Sequence, residues 1–298
     1  MIQKNNIDGI ILLDKPSMMS SNQAIQKIKR EFNLNKLGHT GTLDPLATGL
    51  LPLCLGKATR IARFLIDSDK TYHATIQLGE KTSTGDKEGE VIETSSVDLP
   101  GDSEVEQTIQ SFVGNQEQIP PMYSALKFKG QRLYKLAIKG IDVPRKSRSI
   151  KIHSIDLLSF GKNKLELVIK CSKGTYIRTL AEDIAREFQS VGHIDQLRRL
   201  NISCFGNQEM HSMKKITSSD VLDAFLLPID APLGHLKKID ITNLESSKFC
   251  NGLPISKNLN KLQSDLYIRV YDDIGTFLGL GQHSNDCLKP RIVFKSMN

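Results

Sequence analysis

No part of this chain leaves its backbone less choice than Gly38–Arg60, GHTGTLDPLATGLLPLCLGKATR. Four glycines (Gly38, Gly41, Gly49, Gly56) and two prolines (Pro45, Pro52) punctuate it. Its first half therefore reads as an irregular loop. Pro45 pushes the preceding Asp44 away from helical torsions toward an extended one. The run from Leu50 to Leu55 is almost entirely apolar and anchors that loop in a core. One carboxylate is thus held on a constrained loop over a buried support, flanked by His39, Thr40 and Thr42. Taken by itself, an Asp-Pro here is most simply an Asx-turn residue bonding its own backbone. Loops of this kind also carry function.

The flanking sequence alternates helix-like and strand-like patterns. Ile7–Leu13 turns apolar and β-branched and reads as a strand ended by Lys15-Pro16. Ser20, Ser21 and Asn22 offer N-caps for a helix whose apolar residues Ala24, Ile25, Ile28 and Phe32 recur at helical spacing. A further helix is expected over Ala58–Leu65. Tyr72, Ala74, Ile76 and Leu78 then alternate with polar residues, the mark of a strand with one buried face. Thr82–Glu90 reads as a polar, solvated turn in which Asp86, Glu88 and Glu90 do no chemistry. Val97–Val113 holds a helical pattern, and Lys164–Cys171 a second alternating strand. The chain turns at Gly174 and enters a helix near Thr179, with Tyr176 and Arg178 at the junction. A cation there opposes the helix dipole and calls for a carboxylate partner. Pro228–Leu236 marks a boundary, and Leu266–Gly281 reads as a hairpin turned by Asp-Asp-Ile-Gly.

Charge sharpens the picture. Over 298 residues the net charge is +7, yet Met122–Lys151 alone carries +8 and the rest of the chain −1. Tyr123, Phe128 and Tyr134 are interleaved with these basic residues. That pairing suits a partner presenting both phosphates and bases. The five cysteines are scattered without a C-x-x-C pair, so neither a disulfide framework nor a zinc site is expected. No apolar run is long enough to span a bilayer, and Met1–Asn6 lacks a signal-peptide pattern, so a cytoplasmic protein with no membrane contact is expected. A zinc deaminase would need H-x-E and P-C-x-x-C, and the chain has neither.

From Gly38 through Arg60, without a gap, the chain resembles the catalytic-aspartate motif of the TruB family of tRNA pseudouridine synthases. Four more segments carry the same likeness. They are the K-P-x-G-x-[ST]-S start, the D-K-x-Y before the alternating strand, PPMYSALKFKGQRLYKLAIKGIDVPR and G-T-Y-I-R-T. In the first of them Met18 stands where the family usually has glycine. The resemblance implies an α+β pseudouridine-synthase domain over residues 1–233, its mixed and mainly antiparallel sheet flanked by helices. A basic RNA-gripping insertion would occupy about 120–151, and a small PUA-like β domain 234–298. It further implies catalytic Asp44, paired with Arg178 that holds its carboxyl below the usual range, and Tyr72 stacking on an extruded base. His39, Tyr176 and Leu197 would bind substrate, and Lys127, Lys129, Arg132, Arg145 and Arg148 would grip RNA. The implied reaction converts the T-loop uridine at tRNA position 55 into pseudouridine, in a stand-alone monomer needing neither cofactor, metal nor guide RNA.

The chemistry agrees with a lone acid. Breaking the N1–C1′ bond, turning the uracil and rejoining through C5 changes no oxidation state and releases nothing. A hydrolytic glycosidase would want two carboxylates at a defined separation, and no second acid lies near Asp44 in sequence. The competing expectation is a non-catalytic RNA-binding or tRNA-folding protein, since a basic segment and a PUA-like module serve that role equally well.

Overall fold

The strand Lys70–Leu78 lies inside the principal sheet, and its alternation decides which face is dry: Ala74, Ile76 and Leu78 are fully buried. The computed structural model describes residues 5–219, 221–257, 266–284 and 287–294. Its principal sheet has nine strands. Their order is His211–Ser212, Gly9–Lys15, Thr48–Leu55, Gly192–Ile202, Lys70–Leu78, Lys164–Cys171, Arg148–Gly161 and Gly114–Gln118, with Leu37–His39 paired to Thr48–Leu55. Two of the pairings are parallel, Gly9–Lys15 with His211–Ser212 and Thr48–Leu55 with Gly192–Ile202; the others are antiparallel. The mixed, mainly antiparallel α+β architecture expected from the sequence is what forms.

Two of these strands carry unbroken apolar stretches, Ile10–Leu13 and Leu50–Leu55, because both of their faces are covered. Ile11, Leu13, Leu51, Leu53 and Leu55 face the main core. Ile10, Leu12, Leu50 and Cys54 face a second core, shared with Leu280, Ile292 and Phe294 of the C-terminal sheet. Among the described residues that second sheet has five strands, ordered Lys237–Asp240, Tyr267–Tyr271, Phe277–Ser284, Cys287–Val293 and Ile255–Ser256. It is tied back by Lys57 Nζ, which donates to Phe294 O at 2.9 Å, and by the edge-to-face rings of Phe64 and Tyr267, 5.2 Å apart.

Helices cover the main core. Ser21–Glu31 buries Ala24, Ile25 and Ile28, and Ser20 and Gln23 close a reciprocal capping box at its start. Ile177–Glu187 buries Leu180, Ala181 and Ile184, and Asp102–Gln110 buries Val105 and Ile109. The helix expected over Ala58–Leu65 is a tight 3-10 stretch, Gly56–Ile61, continued by Ala62–Ile66. Among the described residues no helix is long and apolar enough to cross a membrane.

Candidate active site

Asp44 sits on the loop between the strands Leu37–His39 and Thr48–Leu55, and Ser21, Ser17 and Lys15 help to pin that loop. Ser21 Oγ accepts from Leu43 N and donates to Leu43 O, both at 2.9 Å. Ser17 Oγ donates to Leu46 O at 3.1 Å. Lys15, wholly buried, donates from Nζ to the carbonyls of Pro16, Met19 and Pro45 at 2.8, 2.6 and 3.2 Å. Burial pushes the Lys15 ammonium down to about 8, against the opposing pull of Asp44. The turn between Lys15 and Ser20 keeps a left-handed residue, Met18 at φ 58° and 74% exposed, at the position where the resemblance implies glycine.

Arg178 lies in the first turn of Ile177–Glu187 and is buried. Its Nε is 2.9 Å from Asp44 Oδ2, while its two Nη atoms donate to Thr84 O at 2.6 Å and Tyr123 O at 2.7 Å. This is the carboxylate partner that a cation at a helix start calls for. Asp86 Oδ2 lies 3.9 Å from the same Nε. The turn over Thr82–Glu90 is therefore not simply solvated. Its backbone pairs with Ile194, through Ile194 N to Gly85 O and Lys87 N to Ile194 O, each at 3.0 Å. That pairing carries Asp86 into the interior, where it keeps only 4% of its exposure. Asp86 Oδ1 accepts from the Thr84 hydroxyl at 2.6 Å and from Glu88 N at 3.2 Å.

The site's electrostatics reverse one expectation. Asp44 lies above the ordinary carboxylate range, not below it. Desolvation at the base of the cleft is the largest cause, opposed by the charge and hydrogen bond of Arg178 and reinforced by Asp86. The 38% of the Asp44 side chain that stays accessible opens onto the cleft, so a ligand can touch the carboxylate although bulk water scarcely solvates it.

The cleft has a volume of about 260 Å3, and Asp44, Tyr72, Tyr176, Arg178 and Leu197 line it together. Tyr176 is fixed by Gln118, which accepts from its N–H at 2.8 Å and donates to its carbonyl at 3.1 Å. His39 lines a wider adjoining cleft with Asp44, Asp86, Arg132 and Tyr134. Burial, with Arg199 adding to it, lowers the His39 pKa and keeps the ring neutral near pH 7.

The basic segment forms a hairpin, Lys127–Phe128 paired with Gln131–Arg132, followed by the short helix Leu133–Ala137. Lys129 and Gly130 at its tip have φ 47° and 85°, the two-residue turn in which both central residues are left-handed. Leu133 and Leu136 are buried, while Lys127, Lys129 and Arg132 are exposed. Arg145 and Arg148 are half-buried. Arg145 donates to Pro120 O at 3.2 Å and pairs with Asp142 at 3.3 Å. The Arg148 guanidinium stands 5.9 Å from the Tyr176 ring. Sequence reading gave no role to two residues that the fold brings to the site, Asp86 and Arg199. The period-two spacing from Leu197 to Arg199 was the available signal for the second.

Known proteins resemble this chain in sequence and in fold. Residues 29–177 match the TruB family pseudouridylate synthase N-terminal domain, and residues 178–234 the tRNA pseudouridylate synthase B C-terminal domain. The tRNA pseudouridine synthase B of Methylobacillus flagellatus is 44% identical, over 98% of this chain and 97% of that protein. The protein of the same name from Hydrogenovibrio crunogenus is 42% identical, over 98% and 95% respectively. Among solved structures, a crystallised Cbf5-Nop10-Gar1 complex contains a chain of the same fold. Its TM-score is 0.74 at 23% identity, covering 97% of this chain and 85% of that one.

Proposed function

The chain belongs to the TruB family of tRNA pseudouridine synthases, and from that membership and the cleft around Asp44 we propose how it acts on its substrate. It isomerises uridine to pseudouridine in tRNA. The target is the T-loop uridine at position 55. The observation that carries this reading is the 2.9 Å contact between Asp44 and buried Arg178 in a cleft also lined by Tyr72 and Leu197.

The work divides as follows. Asp44 presents one anionic oxygen to the sugar–base junction, and Arg178 fixes its direction. The uridine must leave its stack, which costs a few kcal/mol. The Tyr72 ring offsets this by stacking on the extruded base, with Leu197 packed beside it. His39, neutral and set outside the small cleft, enters the RNA fold where the base had been. Tyr176 closes the far wall, and a small cleft keeps the detached uracil from drifting off or meeting water. The exposed Lys127, Lys129 and Arg132 bind T-arm phosphates, with Arg145 and Arg148 nearer the cleft mouth. Residues 1–233 form the catalytic domain and 234–298 a second RNA-contacting domain of PUA type. The enzyme works as a monomer in the cytoplasm, without guide RNA; its five free thiols suit a reducing compartment.

A bare T-arm hairpin assayed for pseudouridine with the wild-type protein and with Asp44→Asn tests this. Wild type should convert the hairpin unaided and Asp44→Asn should not. Equal activity in both would return the chain to a non-catalytic RNA-binding role, and a need for guide RNA would overturn the stand-alone reading.

A further inference from the structure

The basic segment leaves the principal sheet at Gln118 and rejoins it at Arg148, and these two residues stand opposite each other in the ladder between Gly114–Gln118 and Arg148–Gly161. Opposed residues of an antiparallel pair leave the same face of a sheet, and here both reach Tyr176. The Arg148 guanidinium stands 5.9 Å from its ring. Gln118, 3% exposed, takes its backbone: Oε1 accepts from Tyr176 N at 2.8 Å and Nε2 donates to Tyr176 O at 3.1 Å. The polarity of this pair follows from the groups themselves. An N–H is matched by the amide oxygen and a carbonyl by the amide nitrogen. The glutamine amide does for Tyr176 what a neighbouring strand would do.

Tyr176 needs that support because its own side chain supplies none. It stands at the N-cap of Ile177–Glu187, where a serine, threonine, aspartate or asparagine would close the helix start with a side-chain acceptor. Among the described residues its side chain makes no such bond. Its carbonyl also accepts from Leu180 N at 3.1 Å, so Gln118 holds the very turn on which Arg178 sits. The basic segment meets the same arginine again at Tyr123, whose carbonyl accepts from Arg178 at 2.7 Å. We propose that Gln118 is a positioning residue for the isomerisation. It fastens the root of the basic segment to Tyr176, and so fixes both the far wall of the cleft and the turn from which Arg178 orients Asp44. This rests on the reading that the uridine reacts in the cleft beside Asp44.

The consequence is a division between grip and rate. The exposed Lys127, Lys129 and Arg132 lie on the hairpin beyond the root, so RNA binding does not call on the Gln118 amide. Alignment at the reacting centre does. A misplacement of about 1 Å there costs on the order of 10²-fold in rate. Gln118 touches no reacting atom, and its effect passes through Tyr176 and Arg178.

Two variants of the full chain test this. Gln118→Met keeps the length of the side chain and removes both bonds. Gln118→Glu keeps an acceptor for Tyr176 N–H, but its second oxygen meets the Tyr176 carbonyl, and only the protonated acid can donate there. Turnover and affinity on the T-arm hairpin are measured beside wild type, from acid to neutral pH and below each thermal unfolding midpoint. Gln118→Met should lose roughly 10²-fold in kcat with hairpin affinity nearly unchanged. Gln118→Glu should be slowed at neutral pH, and the ratio of its kcat to that of wild type should rise as pH falls. Taking the ratio cancels the acid limb that Asp44 gives both proteins. A merely structural tie would lower the midpoint and leave kcat of the folded protein in place. An undiminished kcat in Gln118→Met, a loss confined to affinity, or a ratio that does not rise toward acid pH overturns the proposal. If Gln118→Met does not fold, the Gln118→Glu ratio alone decides in the same way. Asp44→Asn in the same assay separates the two readings. An active Asp44→Asn removes the site itself, whereas an inactive one beside an undiminished Gln118→Met removes only the role given to Gln118.

Discussion

Replacing Asp86 with asparagine removes a charge while keeping a shape. The Thr84 hydroxyl and the Glu88 N–H both donate to Asp86 Oδ1, and an asparagine carbonyl accepts the same bonds. What changes is Oδ2, which lies 3.9 Å from Arg178 Nε with both side chains 6% exposed. At that separation and an effective dielectric near 20, the gross attraction is about 4 kcal/mol. Arg178 is not stranded by the change, because Asp44 and the carbonyls of Thr84 and Tyr123 still hold it. The fold should therefore survive. Asp44 loses a repulsive neighbour, one of the causes of its raised pKa. The working form is the anion, so activity falls as pH drops through that raised value, and removing Asp86 moves the acid limb of kcat to lower pH. On the plateau, an arginine anchored on one side less should cost up to about 10²-fold in kcat. The measurement is turnover on the T-arm hairpin from acid to neutral pH at constant ionic strength, beside wild type. An acid limb that stays in place or moves upward would refute the claim that Asp86 and Asp44 compete for one guanidinium.

Three further outcomes are expected. Met18→Gly should raise the thermal unfolding midpoint, because a left-handed L-residue costs roughly 1–2 kcal/mol and glycine gives back only part of that in the unfolded chain. A lower midpoint would mean that the exposed Met18 side chain makes contacts of its own. Tyr72→Ala should abolish pseudouridine formation while hairpin affinity persists, since stacking matters chiefly in the flipped state. Affinity that collapses with turnover would make Tyr72 structural. Neutralising Lys127, Lys129 and Arg132 together should weaken tRNA binding and reduce the slope of log affinity against log salt by about 1 per residue. An unchanged slope would place the phosphate contacts elsewhere.

Local pattern served well where one periodicity ran undisturbed. Ala74, Ile76 and Leu78 alternate and are buried, and Ser20 caps its helix as its position ahead of an apolar-periodic run suggests. Pattern failed where pairing is irregular. The long strand Arg148–Gly161 shifts register between Ile152 and Ser154 and again between Leu157 and Ser159, so no single alternation runs through it. Asp86 defeated sequence reading for a different reason. Polar residues around glycines signal a turn, and a turn does form, but its burial depends on a pairing with Ile194 more than a hundred residues away. The direction of the Asp44 shift is equally illegible in local sequence. An arginine partner was legible, whereas the desolvation that outweighs it belongs to the walls of the cleft.

What the amino-acid order settled without help was the covalent inventory and its local geometry. It supplied one acid on a loop stiffened by Gly41, Pro45 and Gly49, a basic segment interleaved with aromatic rings, and an apolar run that anchors the loop. Only the tertiary structure decided that Arg178 would meet Asp44 and Asp86 together, and that Arg199 would be buried opposite Tyr72 with no carboxylate paired to it among the described residues. The physical reason is one of range. Torsional preference and periodicity act between residues a few positions apart, whereas desolvation and charge depend on whatever the folded chain brings within a few ångströms.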